Sequence, residues 1–490
     1  MRQMDSHNQR HTKRFPIQNH ATCYNGGNPR NAVALKSKIQ NGISRSKPYI
    51  LALLGANLIA CTQEVVVTEN VSTAQPTSAV QKKAKNQAQS SDSFVDSLGV
   101  NTHLTYTDTA YAKFDNLIKP KLRELGIRHI RDGGFNDQTF FNKIKELNRY
   151  GIKTLLTFAA NPPEEVVATA KTLQGALVAV EGPNESDLEH FKFSYKGQKF
   201  PEGTRNYQQE LFTALELDPA TKNLPIILPS MGWGENAQKL GYVPWGDIGN
   251  MHSYPNLGNP PTDALDWYFI KHARTITGNT KPLWATETGY HNYTKDDLGI
   301  SERAGARYIP RLWLEHFNRG VKRVYLYEFI NQRPDTEGDG QQNFGLLRAD
   351  GSPKPSYTII KNLISLLKDP GKSFPLKTLD YKLSGNTTNV HQTLLQKRDG
   401  NFYLILWQEV RSWDNKKKKD IAIRDRKVTL NINTPISQVV AYQPIRSIKP
   451  TWSSRGSGRV KQLSINVPDH PLVLKLVKQG ARGARESRGS

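Results

Sequence analysis

From Phe94 onward, short apolar runs alternate with longer stretches whose apolar residues recur every three or four positions, and this alternation constrains the fold more than any other feature. A short apolar run suits a buried strand; the longer spacing suits a helix that lays one face on a sheet. Their repetition in that order calls for a parallel sheet wrapped by helices. Eight strands are predicted, at 98–104, 127–131, 153–158, 177–180, 225–228, 248–252, 283–286 and 321–327. Helices are predicted at 140–150 and 301–318, closing at Gly151 and near Gly320, because glycine ends a helix in a left-handed turn with little strain. Eight such units over roughly 275 residues match a closed (β/α)8 barrel, placed at 94–370.

After a last helix at 355–367 the pattern changes. Segments 390–396, 402–407, 427–432 and 472–477 are short, β-branched or aromatic, and separated by turn residues, which predicts a β-sandwich over 371–477. The expected fold class is therefore α/β, a TIM barrel followed by a C-terminal β-sandwich domain. Residues 478–490 form a Gly/Arg/Ser tail with too little apolar surface to order itself.

The formal charge of +23 is unevenly spread: +8 over 1–60, zero over 61–93, about +1 over 94–380, +11 over 381–477 and +3 over the tail. The barrel is nearly neutral. A basic sandwich could attract an anionic polymer or a lipid surface, but the lysine run 416–419, set between strand-like segments, reads as a solvated hairpin tip. No nucleic-acid motif accompanies the charge, so no nucleic-acid partner is expected.

Only Cys23 and Cys61 occur, which excludes a disulfide framework. Cys61 follows an apolar stretch at 49–60, too short to span a bilayer as a helix, with Arg45 and Lys47 just upstream. The ending Leu58-Ile-Ala-Cys61 resembles the bacterial lipoprotein cleavage box. That resemblance implies an exported protein held by a lipid on Cys61 at the outer side of a bacterial membrane; an ordinary signal peptide would instead give a secreted one. Residues 1–60 would then be a basic lead and signal segment, long enough that translation is expected to start further downstream. Residues 61–93, rich in Thr, Ser, Gln, Ala and Lys, read as a flexible linker.

Two glutamates finish separate predicted strands in matched settings: Glu185 closes Ala179-Val-Glu-Gly-Pro-Asn-Glu185, and Glu287 sits in Leu283-Trp-Ala-Thr-Glu-Thr-Gly289. In a barrel the carboxyl ends of the strands converge on one face, so the two side chains can meet over one pocket. Paired carboxyls suit glycoside cleavage: one protonates the departing oxygen and the other attacks the anomeric carbon, at about 5–5.5 Å separation when configuration is retained.

Asn184-Glu185, His252-x-Tyr254 and Thr286-Glu287-Thr-Gly289, in that order, resemble the clan A retaining glycoside hydrolases, which include the cellulase-like family 5 and the xylosidase-like family 39. The likeness covers about 94–370. It implies Glu185 after strand 4 as general acid/base and Glu287 after strand 7 as nucleophile. Arg131 and Tyr254 would donate to Glu287, Asn184 would bond the hydroxyl beside the anomeric carbon, and His252 would orient the network.

Read as residues alone, Arg131 could be a salt-bridge partner of Asp132 or another acid, His252 could be a packed core histidine, and Glu181 is a structural hydrogen-bonding group. Trp233, Tyr290 and Tyr327, near strand ends, could stack on sugar rings or fill the core. Glu328 stands where clan members often carry a substrate-contacting tryptophan, a departure that leaves the sugar open. No cofactor is implied, and no His/Cys/Asp cluster has metal-ligand spacing. Asp335, Glu337 and Asp339 read as a solvated loop rather than a calcium site. The expected activity is hydrolysis of an oligo- or polysaccharide by double displacement, in a monomer. The alternative is a carbohydrate-binding or adhesion lipoprotein without turnover.

Overall fold

The computed structural model describes residues 86–334, 339–454 and 458–479. All eight predicted barrel strands are present: β1 (Leu98–Asn101), β2 (His129–Gly133), β3 (Lys153–Thr157), β4 (Leu177–Glu181), β5 (Ile226–Ile227), β6 (Gly249–His252), β7 (Leu283–Thr288) and β8 (Arg323–Leu326). They pair in parallel in chain order, β8 returns to pair with β1, and a bridge between Ile227 and Ile248 closes the ring.

Period-two alternation fills the ring in layers. Leu155, Ala179, Ile227, Ile248, Trp284 and Tyr325 form an apolar floor. Two residues further along their strands, Glu181, Asn250 and Thr286 point into the same interior, joined by Asn101 and Arg131, and all five are buried. Gly99 is required opposite the floor, since a Cβ there would meet the Tyr325 ring at 2.3 Å.

The predicted helices are Gln138–Arg149, capped by Asp137 accepting from the Phe140 amide, and Glu302–Asn318, capped by Ser301 accepting from the Ala304 amide. Gly151 and Gly320 follow them with φ of +77°. The last helix is Pro355–Leu367. Among the described residues no helix is long and apolar enough to cross a membrane.

The second module contains β9 (Tyr381–Gly385), β10 (Val390–Gln396), β11 (Phe402–Gln408), β12 (Trp413–Asp414), β13 (Lys419–Asp420), β14 (Arg426–Ile432), β15 (Ile436–Tyr442), β16 (Pro450–Ser453), β17 (Gln462–Val467) and β18 (Leu472–Lys478). One sheet runs β10-β11-β18-β15-β16 and the other β9-β14-β17. Leu404 and Leu474 from the first meet Val428, Leu430 and Ile465 from the second in one apolar core. The lysine run forms the turn of the β12–β13 hairpin, as expected.

The linker expectation needs correction at its end. Residues 86–93 are folded: Gln89 and Ser90 pair in parallel with Leu395 and Gln396, and Ser90 caps a helix at Ser91–Asp96. The reason is that β10 would otherwise leave its outer hydrogen-bonding edge bare. Asp92 then pairs with Arg128 at 2.7 Å, and Asp96 with Arg323 at 2.8 Å and His129 at 2.9 Å, all at the amino ends of β2 and β8. The lead 1–60, Cys61 and the linker to residue 85 lie outside the described residues, as do Asp335, Glu337 and the tail from 480.

Candidate active site

Arg131, at the inward face of β2, organises the carboxyl ends of the strands. Its Nε and Nη2 donate to the two oxygens of Glu181 at 2.7 and 2.9 Å. Nη1 donates to Glu287 at 2.7 Å and to Asn101 Oδ1 at 2.9 Å, and Nη2 also reaches Asn184 Oδ1 at 2.6 Å. The fork shape of the guanidinium allows this, because five donors in one plane can serve acceptors on several strands. Arg131 thus meets Glu287, as the clan resemblance implies, and also another acid, Glu181, but not Asp132. Asp132 instead accepts from Thr102, Leu104 and Gly133.

Glu287 reaches the interior through an irregularity in β7. Met251 pairs with Ala285 but His252 pairs with Glu287, so the register slips by one residue at Thr286. Such a bulge lets two consecutive side chains serve the same cavity. Thr286 lies 2.7 Å from Asn250 Oδ1 and 3.1 Å from Glu181 Oε1, while Glu287 takes Arg131 on one oxygen and the Tyr254 hydroxyl, at 2.7 Å, on the other. Two donors, one of them cationic, favour the ionised form of Glu287.

Glu185 sits in a different setting. It has φ of +43°, which costs a non-glycine residue about 1–2 kcal/mol. Its amide donates to Ser230 Oγ at 3.1 Å and its carbonyl accepts from the Leu188 amide at 3.0 Å, so both neighbouring segments hold the turn. One carboxyl oxygen lies 2.6 Å from His252 Nδ1; the other, and Nδ2 of Asn184, are buried without a hydrogen-bond partner among the described residues. Burial pushes the Glu185 carboxyl up to about 7, opposed by His252 and reinforced by the charge of Glu287. His252 is also raised: burial alone would depress it, but the charges of Glu287 and Glu185 outweigh that. Both groups thus hold a proton more tightly than they would in water, and across the 2.6 Å contact the ionisation of one depends on that of the other.

This has a consequence for stability. A carboxyl whose proton is held more tightly in the folded chain, at about 7 against 4.5, makes stability fall as pH rises through that interval. Glu185→Gln cannot ionise, so urea denaturation should find it more stable than the parent at pH 8 and nearly equal at pH 4.5. Equal stability at both pH values would contradict the buried-carboxyl account.

Ligand atoms of Glu185, His252 and Glu287 lie within 4.8 Å of one another, a grouping that no spacing in the sequence announces. As a metal site it is a poor fit, because both Glu287 oxygens are engaged by Arg131 and Tyr254, and a dication would face the fixed guanidinium charge.

The remaining predicted residues divide. Trp233 is half-buried, and its amide and that of Gly232 bind Asp187 at 2.9 Å, which ties the loop after β5 to the segment carrying Glu185. Tyr327 packs with Tyr254 and Phe344, its hydroxyl 3.2 Å from His103 Nε2. Glu328 is buried against its own protein, accepting from Tyr111 at 2.9 Å and Gln332 at 3.2 Å. Tyr290 is turned away from the two glutamates, its ring 5.1 Å from Tyr308 and its hydroxyl donating to the Asn259 carbonyl. Asn101 and Asn250 stand in no motif of the sequence, and their one signal is a polar side chain at an inward position of an otherwise apolar strand; Thr286 stands in the Thr286-Glu287 motif, which carries no sign of its bonds to Asn250 and Glu181.

No protein-family model matches the chain, and no curated protein matches it. Its structure is similar to that of a family 39 glycoside hydrolase from the gut symbiont Bacteroides cellulosilyticus WH2, with a TM-score of 0.54 and 16% identity over 79% of this chain and 82% of that one. A glucosidase from Croceicoccus marinus aligns over 81% of this chain and 96% of its own, with a TM-score of 0.49 and 11% identity. The chain thus has a (β/α)8 barrel with an appended β-sandwich, a fold that it shares with the family 39 enzyme.

Proposed function

We propose that this protein is a glycoside hydrolase that cleaves O-glycosidic bonds of an oligo- or polysaccharide with retention of configuration. The observation that carries the proposal is the approach of the Glu185 and Glu287 oxygens to within 4.8 Å, in unlike surroundings, at the carboxyl end of a barrel. That separation suits direct attack and leaves no room for a water between carboxyl and sugar, which an inverting enzyme needs at about 6.5–9.5 Å.

In this reading Glu287, held ionised by Arg131 and Tyr254, attacks the anomeric carbon. Glu185 gives its proton to the departing oxygen. Forming the glycosyl ester removes the charge of Glu287, and with it part of what keeps Glu185 protonated, so Glu185 then takes a proton from water. Nδ2 of Asn184, which has no hydrogen-bond partner among the described residues, donates to the sugar hydroxyl beside the anomeric carbon. The substrate is a carbohydrate and no cofactor takes part.

Aryl glycosides and a polysaccharide panel test the proposal. The first product followed by proton NMR should have the anomeric configuration of the substrate, and kcat/KM for substrates with poor leaving groups should fall above about pH 7 as Glu185 loses its proton. An inverted product would overturn the mechanism. Binding without any product would favour the non-catalytic carbohydrate-binding reading.

We also propose that Cys61 carries a lipid that holds the protein at the outer side of a bacterial membrane, from the resemblance of Leu58-Ile-Ala-Cys61 to a lipoprotein box. Labelled fatty acid should enter the protein in the producing cell and should not enter Cys61→Ser.

A further inference from the structure

Resting on the glycosidase reading, we propose that the β-sandwich builds half of an additional binding site for a neutral sugar unit of the substrate chain. The site is a cleft between the β12–β13 hairpin and the loop after β6. It has a volume of about 740 Å³, within the range of about 300–1,000 Å³ usual for small-ligand pockets. Its lining includes Tyr254, whose hydroxyl donates to Glu287 at 2.7 Å, so one residue belongs both to the cleft and to the surroundings of the paired carboxyls. The barrel contributes Asn256 and Trp267, and the sandwich contributes Lys416.

The sandwich also holds the opposite wall in place. Glu409 Oε1 accepts from the amide and the hydroxyl of Thr262, both at 3.2 Å, while Oε2 is anchored to buried Arg311 at 2.8 Å. Arg411 donates to the Leu257 carbonyl at 3.2 Å and to the Asn259 side chain. The Ser412 amide donates to the Tyr308 hydroxyl at 2.6 Å, which donates in turn to the Gly258 carbonyl at 2.9 Å. Trp413 lies so close over Gly258 that a Cβ there would come within 2.5 Å of its ring. Positions 257, 258, 259 and 262 of the loop that carries Tyr254 are thus fixed from the sandwich. The hairpin is braced against the barrel through Lys418 to Asp297 at 3.0 Å and Ser301 to Asp420 at 2.6 Å.

The lining selects the occupant. Trp267 is 63% exposed on the rim. Its bare aromatic face suits the C–H face of a sugar ring, since Trp offers a large apolar surface with one polar edge. The fixed charges cancel, Asp263 and Asp414 against Arg411 and Lys416. An acidic sugar would gain no net attraction; a neutral one would lose nothing.

The test uses the full chain and a series of neutral oligosaccharides that the parent cleaves. Trp267→Ala should lower the ratio of kcat/KM for a tetrasaccharide to that for a disaccharide about tenfold. Leu217→Ala, at an exposed residue outside the cleft, should leave it unchanged. An unchanged ratio in Trp267→Ala would overturn the proposal, as would a preference for acidic oligosaccharides that Lys416→Ala removes. If the parent cleaves nothing, the glycosidase reading fails by itself. Calorimetric titration with the same oligosaccharides then decides the cleft: binding to the parent that Trp267→Ala loses supports it, and binding that the variant retains overturns it.

Discussion

Glu287→Ala should retain its fold and lose glycoside hydrolysis by about 10⁴-fold or more in kcat, on the scale seen when a covalent nucleophile is removed. The fold should persist because Arg131 keeps both oxygens of Glu181 after Glu287 is gone, so no buried cation is stranded. Glu185→Ala should behave differently. Substrates with good leaving groups need little protonation and should slow modestly, while poor ones should slow by about 10²–10⁴-fold, the usual contribution of a general acid. Azide should then rescue the variant by giving a glycosyl azide of retained configuration. Glu287→Ala with activity within tenfold of the parent would remove Glu287 from the chemistry, and equal slowing of both substrate types in Glu185→Ala would remove Glu185 as the acid.

Arg131→Met should be the most damaging single change to stability. The guanidinium is buried and serves Glu181, Glu287, Asn184 and Asn101 together. Methionine fills similar volume but strands two buried carboxylates, and breaking a buried pair by removing one partner costs about 3–5 kcal/mol. Urea denaturation of the folded chain measures it directly. Arg131→Lys should recover little, because one ammonium cannot span acceptors contributed by β1, by β4 and the segment after it, and by β7. A loss below 1 kcal/mol in Arg131→Met would mean that water or local rearrangement satisfies the carboxylates.

What the sequence discloses here is what local spacing can encode. The apolar runs of β4 and β7 stop where the barrel opens, so Glu185, four residues past the end of β4, and Glu287, next to last in β7, are legible as acids at strand ends. Tyr254, two residues past His252, follows from the same logic, and the pairing of Arg131 with Glu287 followed from the clan pattern. The bulge at Thr286 was not visible, since a register slip depends on how β6 and β8 pair with β7 rather than on β7 alone. Glu181 was recognised as structural, but its two bonds to Arg131 emerge only when β2 and β4 close on each other. Tyr290 misled because its position near a strand end says nothing about the Tyr308 ring that it turns to meet. The folded entry at 86–93 was hidden for a related reason: two residues make a strand only because an edge of β10 waits hundreds of positions away.

That entry segment also sets an orientation. Asp96 meets Arg323 and His129 where β8 and β2 begin, so the chain comes into the barrel at its rear, whereas Glu185 and Glu287 stand at its mouth. The first described residues therefore lock onto the end of the barrel opposite its paired carboxyls, so that the pairs made by Asp96 and the cluster around Arg131 stand at opposite poles of the same eight strands.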